Sequence, residues 1–399
     1  MAAPVALPTV NVGMVGHVDH GKTTLTQALT GKWTDTHSEE VKRGITIRLG
    51  YADVTFFQCP QHGHAPGSCC GKATPLRTVS IVDAPGHETL MTTMLAGAAI
   101  MDGALLVISA TEKCPQPQTR EHLQALDIVG IRNIVVVQNK VDLVSAEQAR
   151  EHHLQIKAFL KGSVAEKAPI IPVSAQHRLN MDLLIDAIEQ TIPTPRRDPA
   201  RPVRMLIARS FDINRPGMQP DQLVGGVLGG SLVQGTLRAG DQVEIRPGAK
   251  VKDAYKPVAT TIQGLQKAGQ SLQEAGPGGL LGVSTGLDPA LTKSDTLVGN
   301  VLGKAGQLPP VWQEMELKTA LLQRVVGSRE ELVVEPIKAG DVLMLTVGIS
   351  RTVGSVTSGG GGRAKVVLKI PVCAEQGDKV AISRQVLGRW RLIGWGEVQ

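Results

Sequence analysis

The segment at residues 16–23, G-H-V-D-H-G-K-T, constrains the fold of this 399-residue chain more than any other. It follows an apolar, strand-like run at residues 9–15 and precedes a helical pattern at residues 24–30. Its two glycines let backbone N–H groups converge on phosphate oxygens, while the helix start and a lysine add positive charge. The segment therefore predicts a loop that binds a nucleoside triphosphate, with a threonine hydroxyl suited to Mg²⁺. The expected phosphate-binding residues are Val18, Asp19, His20, Gly21, Lys22, Thr23 and Thr24.

Residues 9 to about 192 alternate apolar runs with helical patterns, which is typical of a parallel sheet covered by helices on both faces. The predicted strands are residues 10–15, 78–82, 103–109, 133–138 and 169–174. The predicted helices lie near residues 88–97, 118–129, 146–160 and 179–191. A further run at residues 47–57 is expected to pair antiparallel with residues 76–82.

A proline-rich segment at residues 193–202 interrupts both helix and strand patterns and predicts a linker. Beyond it, short β-rich runs are separated by Gly-Gly, Gly-Asp and Pro-Gly pairs, a pattern that predicts antiparallel β-barrels. Four consecutive glycines at residues 359–362 predict a flexible loop tip. The predicted domains are an α/β P-loop domain at 1–195 and two β-barrel domains at 203–310 and 311–399.

The sequence N-K-V-D at residues 139–142 follows an apolar strand and predicts recognition of guanine. Asp142 can accept hydrogen bonds from guanine N1–H and the exocyclic amine, whereas adenine offers no such pair of donors. Asn139 and Lys140 are expected to brace the loop and cover the base. After the next predicted strand, Ser174, Ala175 and Gln176 can place a backbone N–H on guanine O6.

The sequence D-A-P-G-H at residues 83–87 ends another predicted strand, where Asp83 can hold Mg²⁺ through water and the Gly86 N–H can meet the γ-phosphate. Thr46 is expected to complete Mg²⁺ coordination only while the γ-phosphate is present, so that hydrolysis releases its loop. His87 is the candidate for orienting the attacking water. The alternative for His87 is a loop imidazole that is bonded to nearby backbone.

The net charge of +6 is concentrated in the second half of the chain. Residues 201–399 carry 24 Lys and Arg against 17 Asp and Glu, whereas residues 1–200 carry 18 against 19. This asymmetry suits a polyanionic partner, and the alternative is a solvated basic surface. Basic residues near the end that can meet an RNA backbone are Arg363, Lys365, Lys369, Lys379, Arg384, Arg389 and Arg391.

Location can also be predicted from the composition and the apolar patterning. The N-terminus lacks the basic and long apolar stretches of a signal peptide, and the longest apolar stretch is too short to span a bilayer. Five cysteines without a regular framework agree with a reducing compartment. We therefore expect a cytoplasmic protein without membrane contact.

Together, these motifs resemble the translational GTPases of the elongation factor Tu class. Six further segments more particularly resemble the gamma subunits of archaeal and eukaryotic translation initiation factor two. They are residues 37–52, 114–119, 209–214, 243–248, 275–280 and 390–396. The resemblance implies an α/β P-loop GTPase domain (the G domain) followed by two antiparallel β-barrel domains, in a heterotrimer with alpha and beta subunits. It further implies GTP-dependent delivery of methionylated initiator tRNA to the small ribosomal subunit.

The resemblance also implies roles for particular residues. Thr23 and Thr46 match the Mg²⁺ ligands, and Asp19 with the Gly44 carbonyl matches a second Mg²⁺ site. His87 matches the catalytic histidine. Val18 and Ile45 match an apolar gate that screens this histidine from the γ-phosphate, which suits a GTPase activated from outside.

An insert at residues 58–72 is where this family often carries a zinc knuckle with two C-x-x-C pairs. This chain departs from that pattern, because one pair is Cys59 with His62 and the other is the adjacent Cys69 and Cys70. Cys59, His62 (or His64), Cys69 and Cys70 form a candidate Zn²⁺ set. The alternative is a degenerate knuckle without metal.

Three classes of function fit the motifs to different degrees. A GTP-switched tRNA carrier is favoured, with an elongation-factor-type carrier of aminoacyl-tRNA as its alternative. A metabolic enzyme built on the same GTPase module would need further catalytic groups, yet residues 201–399 contain no histidine. A scaffold for partner subunits, with incidental hydrolysis, is the third class.

Overall fold

The computed structural model describes residues 6–34, 46, 48–61, 63–67, 72–87, 90–214, 217–219, 224–325 and 332–399. Contacts between Cα atoms divide the chain into two units. The first contains the described residues of Met1–Pro195, Leu322–Val334 and Val386–Ile393. The second contains those of Arg196–Leu321, Glu335–Gln385 and Gly394–Gln399.

A seven-stranded sheet forms the centre of the first unit, with strand order β3-β2-β4-β1-β5-β6-β7. Its strands are β1 (Val10–Val15), β2 (Gly50–Cys59), β3 (Gly63–Pro66), β4 (Thr74–Asp83), β5 (Gly103–Ser109), β6 (Ile134–Asn139) and β7 (Ile170–Pro172). Neighbours from β4 to β7 in this order pair in parallel, whereas β2 pairs antiparallel with β3 and β4. The predicted parallel sheet and its antiparallel extension are confirmed.

Five helices of the first unit are α1 (Lys22–Thr30), α2 (Met91–Ala98), α3 (Pro117–Val129), α4 (Ala146–Leu160) and α5 (Met181–Thr191). All side chains of β1, β5 and β6 are buried, which explains why these strands are almost wholly apolar. Along β2, buried side chains alternate with partly exposed ones, as expected for a strand near the edge of the sheet. One core cluster joins strand residues such as Met14 to Leu25 and Leu29 of α1 and Ile185 of α5.

The second unit contains the first barrel, whose strands are β8 (Arg204–Phe211), β9 (Val227–Gln234), β11 (Gln242–Val251), β12 (Ala254–Lys267), β15 (Leu280–Thr285) and β16 (Val301–Gly303). They follow the order β11-β16-β8-β9-β15-β12, and pairing of β12 with β11 closes the ring. Short strands β10 (Leu237–Arg238), β13 (Gln270–Leu272) and β14 (Glu274–Ala275) and a short helix α6 (Pro289–Thr292) accompany it. Leu228, Ile245 and Val283 are among the residues that fill its core.

A closed second barrel follows, in the order β17-β20-β19-β18-β21-β22. Its strands are β17 (Val311–Leu321), β18 (Val342–Val347), β19 (Ser350–Gly360), β20 (Arg363–Cys373), β21 (Lys379–Val386) and β22 (Arg389–Val398). The predicted fold class, an α/β P-loop GTPase domain followed by two antiparallel barrels, is therefore confirmed.

The expectation of a loop tip at residues 359–362 is partly wrong. Gly359 pairs with Ala364 and Gly360 with Arg363, so the strand runs to Gly360. A Cβ atom on Gly359 would lie 2.7 Å from the Ile337 carbonyl oxygen, so this glycine allows a close backbone approach.

Candidate functional site

The candidate site lies where the parallel strands of the first unit end. Since β1, β4, β5, β6 and β7 run in the same direction, the loops after them meet at one edge of the sheet. The phosphate-loop segment follows β1, residues 84–87 follow β4, and the N-K-V-D segment overlaps the end of β6. Sheet topology thus brings together motifs that are separated by more than 100 residues in sequence.

A cavity of about 380 Å³ opens at this edge. Ten of the eleven residues that line it were expected from the sequence: Val18, Asp19, Gly21, Lys22, Thr23, Thr24, Thr46, Gly86, His87 and Lys140. The eleventh is Trp33, which is about half exposed. The cavity has the size of a small-molecule site and combines a cation with oxygen donors.

The phosphate loop is closed over its own lysine. Lys22 begins α1, is buried, and its Nζ donates a hydrogen bond to the His17 carbonyl oxygen at 2.8 Å. The residue before it, Gly21, has a φ of +86° and caps the helix. Backbone N–H groups at the start of α1 and the lysine cation therefore share one small volume, which is the arrangement that favours phosphate.

Gly86 lies so close to the phosphate loop that a residue with a side chain would not fit at its position. A Cβ atom at this position would lie 2.3 Å from Lys22 Nζ and 2.8 Å from both the Gly16 carbonyl oxygen and the Val18 nitrogen. His87, the next residue, is half-buried, and its carbonyl oxygen accepts a hydrogen bond from the Leu90 N–H at 2.9 Å. The segment after β4 thus lies against the phosphate loop, where its backbone can meet a γ-phosphate.

A cluster of oxygen atoms marks the candidate magnesium position. The Thr23 hydroxyl donates to Asp83 Oδ2 at 2.9 Å and lies 3.2 Å from the Thr46 hydroxyl. Thr34 donates to the same carboxylate oxygen at 2.7 Å. Hydroxyl and carboxylate oxygens are the ligands that Mg²⁺ prefers, so the donor set fits this ion. Bound Mg²⁺ would neutralise charge on the phosphates.

Asn139 ties the base-recognition segment to the phosphate loop. Its Nδ2 donates to the His20 carbonyl oxygen at 2.9 Å, and its Oδ1 accepts from the Ala175 N–H at 3.1 Å. His20 is fully buried, and burial lowers the pKa of its imidazole to about 3. The side chain of Asn139 therefore joins the loops after β1, β6 and β7.

The remaining base-recognition residues lie beyond the cavity lining. Asp142 is partly exposed, and its Oδ2 lies 3.6 Å from His177 Nε2. Ser174 is buried and its hydroxyl accepts from the His177 N–H at 3.2 Å, whereas Gln176 is exposed. The structure thus places Asp142 and residues 174–176 on neighbouring loops of the same sheet edge.

Some predicted residues lie outside the described residues: Gly44, Ile45, His62, Cys69 and Cys70. Cys59, which ends β2, is buried. Within the described part of the chain, no group of three or more His, Cys, Asp or Glu side chains is arranged to hold a metal ion. The second Mg²⁺ site and the zinc set thus stay predictions.

Sequence reasoning missed three residues of the site: Trp33, Thr34 and His122. Trp33 and Thr34 follow the end of α1 and belong to no motif, and Thr34 gains its role only through Asp83. His122 lies on α3 and accepts a hydrogen bond from the Gly16 N–H. No local sequence signal identifies these contacts, because each joins segments that are distant along the chain.

Comparison with protein families matches three consecutive parts of the chain. The model described as elongation factor Tu GTP binding domain matches residues 7–194, elongation factor Tu domain 2 matches residues 225–303, and initiation factor eIF2 gamma, C terminal, matches residues 313–398.

Curated relatives match nearly the full length. Translation initiation factor 2 subunit gamma of Pyrococcus horikoshii is 60% identical over 98% of this chain and 97% of the relative. The protein of the same name from Methanothermobacter thermautotrophicus is 59% identical over 98% of each chain.

Solved structures share the fold at lower identity. A bacterial selenocysteine-specific elongation factor, EF-Sec, matches with a TM-score of 0.75 and 25% identity over 98% of this chain, which spans 58% of that protein. Elongation factor SelB from Methanococcus maripaludis, in complex with the GTP analogue GppNHp, matches with a TM-score of 0.74 and 23% identity, over 99% of this chain and 80% of SelB.

Proposed function

The chain belongs to the translation initiation factor 2 subunit gamma family of elongation factor Tu class GTPases, and from this premise we propose that it delivers methionylated initiator tRNA to the small ribosomal subunit. In this proposal it acts with alpha and beta subunits, and GTP hydrolysis switches it to release. The single observation that supports the switch is the contact between Thr23, Asp83 and Thr46 beside the phosphate loop.

We assign the nucleotide roles as follows. Lys22 and the backbone of residues 18–24 hold the phosphates, and Thr23 and Thr46 bind Mg²⁺ with Asp83 behind them. The Asp142 carboxylate selects guanine, because it accepts from two donors that adenine does not present together. Asn139 positions this segment through its bonds to His20 and Ala175.

Hydrolysis requires an ordered water molecule, and we assign its orientation to His87. This residue lines the cavity together with Gly86 and Lys22. A positioned side chain that handles a proton in the transition state contributes about 10²- to 10⁴-fold to the rate. Val18 and Ile45 are proposed as the apolar gate that keeps His87 from the γ-phosphate until a partner acts.

The proposed switch depends on Thr46, whose hydroxyl lies 3.2 Å from that of Thr23. With GTP bound, Mg²⁺ and the γ-phosphate hold the loop that contains Thr46, and hydrolysis removes one of these attachments. A change at this loop alters the surface offered to cargo, so tRNA affinity follows the nucleotide state. The proposal therefore predicts tighter tRNA binding with a non-hydrolysable GTP analogue than with GDP.

A binding experiment tests this function. Guanine nucleotide affinity is measured beside the affinity for initiator and elongator methionyl-tRNA, with and without the alpha and beta subunits. Preference for the initiator form in the GTP state supports the proposal. Equal affinity for both tRNAs indicates an elongation-factor-type carrier, and absence of tRNA binding in the complete trimer contradicts both.

Three finer assignments accompany this function. We propose domain boundaries at 1–195, 203–310 and 311–399, and a cytoplasmic location; no helix in the described ranges is long and apolar enough to cross a membrane. We also propose Zn²⁺ at Cys59, His62, Cys69 and Cys70, by analogy with the family's knuckle. Metal analysis of purified protein tests the site, and less than about a tenth of an equivalent of zinc contradicts it.

A further inference from the structure

The phosphate loop begins with a contact that no nucleotide motif accounts for. The N–H of Gly16, the first glycine of the loop, donates a hydrogen bond to His122 Nδ1 at 2.8 Å. The two residues are 106 positions apart in sequence, and His122 is buried, with an exposed fraction of 1%. This bond connects the start of the loop to helix α3.

The direction of this hydrogen bond fixes the chemical state of the imidazole. A backbone N–H can only donate, so Nδ1 must carry a lone pair and the proton must lie on Nε2. Burial lowers the pKa of His122 well below its ordinary value, and the positive charge of Lys22 lowers it further. His122 is therefore a neutral acceptor placed beside a loop that gathers positive charge.

The backbone at Gly16 has little freedom to find another acceptor while the loop keeps this shape. Gly16 has a φ of +141°, and a Cβ atom here would lie 2.2 Å from the Val107 carbonyl oxygen. The Cα of Gly16 thus lies against strand β5, while its N–H donates to His122 on helix α3. A buried N–H that loses its acceptor is strongly unfavourable, so the loop would change shape to satisfy it.

Helix α3 offers a firm support for this acceptor. Glu121, the residue before His122, has an exposed side-chain fraction of 1%, and its Oε1 accepts from Arg391 Nη1 at 3.0 Å. Helix α3 therefore carries a buried ion pair at the residue next to His122.

We propose that His122 is a positioning residue for nucleotide binding, which as a neutral Nδ1 acceptor for Gly16 holds the phosphate loop in its binding shape. The inference rests on the proposed nucleotide site. Without the acceptor, the phosphate loop more often adopts other conformations, in which the Gly16 N–H bonds to water or to another partner. The apparent dissociation constant then rises in inverse proportion to the fraction of molecules whose loop keeps the binding shape.

The test compares variants that keep or remove the acceptor. In His122→Asn the side-chain oxygen stands at the same number of bonds from the backbone as Nδ1, whereas His122→Leu has no acceptor. We expect His122→Leu to weaken GDP and GTP affinity by about tenfold or more, equivalent to about 1.4 kcal/mol. His122→Asn should stay within about threefold of the wild type, measured with fluorescent guanine nucleotides on the full chain.

His152 supplies a matched control in the same unit. It is also buried, and its Nδ1 lies 3.2 Å from the Gln138 side-chain nitrogen. His152→Leu should lower the unfolding temperature and leave nucleotide affinity within about twofold, because its partner is not part of the phosphate loop.

Each outcome decides between readings. Wild-type affinity in a folded His122→Leu variant overturns the inference, and so does a loss in His122→Asn that equals the loss in His122→Leu. If His122→Leu does not fold, His122→Gln, whose acceptor is one bond farther out, must bind more weakly than His122→Asn, and equal affinity overturns the inference. If the wild type itself binds no guanine nucleotide, the proposed nucleotide site fails instead.

Discussion

In the first unit, strands β1, β5 and β6 are buried along their whole length, whereas strand β20 of the second barrel exposes every second side chain through residues 363–369. A strand that is covered on both faces can offer polar groups only at its ends. A barrel strand can offer them all along its outer face. The candidate nucleotide site is therefore confined to one edge of a sheet, whereas a barrel strand presents exposed side chains along its surface.

The charges follow the same division. Residues 1–200 are nearly balanced, and the excess of basic residues lies in residues 201–399. In the candidate nucleotide site Lys22 has a defined position, bonded to the His17 carbonyl oxygen and close to Gly86. A diffuse basic surface acts through long-range attraction instead, which salt screens. Nucleotide affinity should therefore fall sharply after a single substitution in the first unit. RNA affinity should depend instead on how many basic residues of the barrels are removed.

The largest expected effect is that of His87→Ala on catalysis. Stimulated GTP hydrolysis should fall by about 10²- to 10⁴-fold, because the side chain that orients water is lost. GTP affinity should stay within a few-fold, because the phosphate loop is intact. Single-turnover hydrolysis with a ribosomal or protein activator measures this, with His153→Ala on α4 as the control. Unchanged stimulated turnover would remove His87 from the mechanism.

Asp142→Asn should produce the next largest effect, on base recognition. We expect about a hundredfold loss of GTP affinity, equivalent to about 2.7 kcal/mol, because one of two accepting oxygens becomes a donor. Xanthosine triphosphate presents a carbonyl where guanine has its amine, so its affinity should rise in the same variant. Competition binding measures both, and Asp127→Asn, which alters an exposed ion pair with Arg132, serves as the control.

A parallel fall in both affinities would show that Asp142 supports the loop and does not read the base.

A third prediction uses pH to separate the two regions. The pKa of His122 is lowered by burial, so below about pH 6.5 the unfolded chain binds a proton that the folded chain does not. The free energy of unfolding should therefore fall as pH decreases, by about 1.4 kcal/mol per pH unit from this residue. The barrels contain no histidine, so this kind of acid sensitivity belongs to the first unit.

Denaturant unfolding between pH 7.5 and 5 measures this effect, and His122→Asn should show a shallower slope than the wild type. Identical slopes would place the proton uptake elsewhere.

The fold could be predicted in most of its elements because the periodicity of apolar residues is strong. Helix α4 begins and ends at the predicted residues, and β1 and β5 match their predicted bounds. The exceptions arose where tertiary contact decides the conformation. The glycines at 359–360 belong to a strand because they pair with Ala364 and Arg363 of β20, and the Ile337 carbonyl oxygen lies close to Gly359; no local pattern reveals these contacts.

The candidate site divides in the same way. Motif residues such as Lys22 and Gly86 could be predicted, because each motif carries its own local geometry. Thr34 and His122 could not, because their roles depend on hydrogen bonds across 49 and 106 positions. Arg391 shows the opposite error. It was named among the basic residues that can meet an RNA backbone, with a solvated charge as the alternative, yet it is buried in an ion pair with Glu121.

The smallest single-site effect is expected on the barrels, and it completes the comparison. Lys369 is exposed on β20, whereas neighbouring basic residues such as Lys365 and Arg363 form ion pairs with Glu314 and Glu316. Lys369→Ala should change tRNA affinity by only about twofold at physiological salt. It should also lower the slope of log affinity against log salt by about 0.7–0.9, the value of one phosphate contact.

Filter binding of initiator tRNA across a range of salt concentrations separates these two quantities. Neutralising Lys365 and Arg363 as well should make the dependence of log affinity on log salt still less steep, because independent phosphate contacts are additive. A flat salt response in the wild type would mean that the basic excess of the barrels does not face RNA. Recognition would then depend on a few fixed contacts, as it does at the nucleotide site, and the contrast between the two regions would disappear.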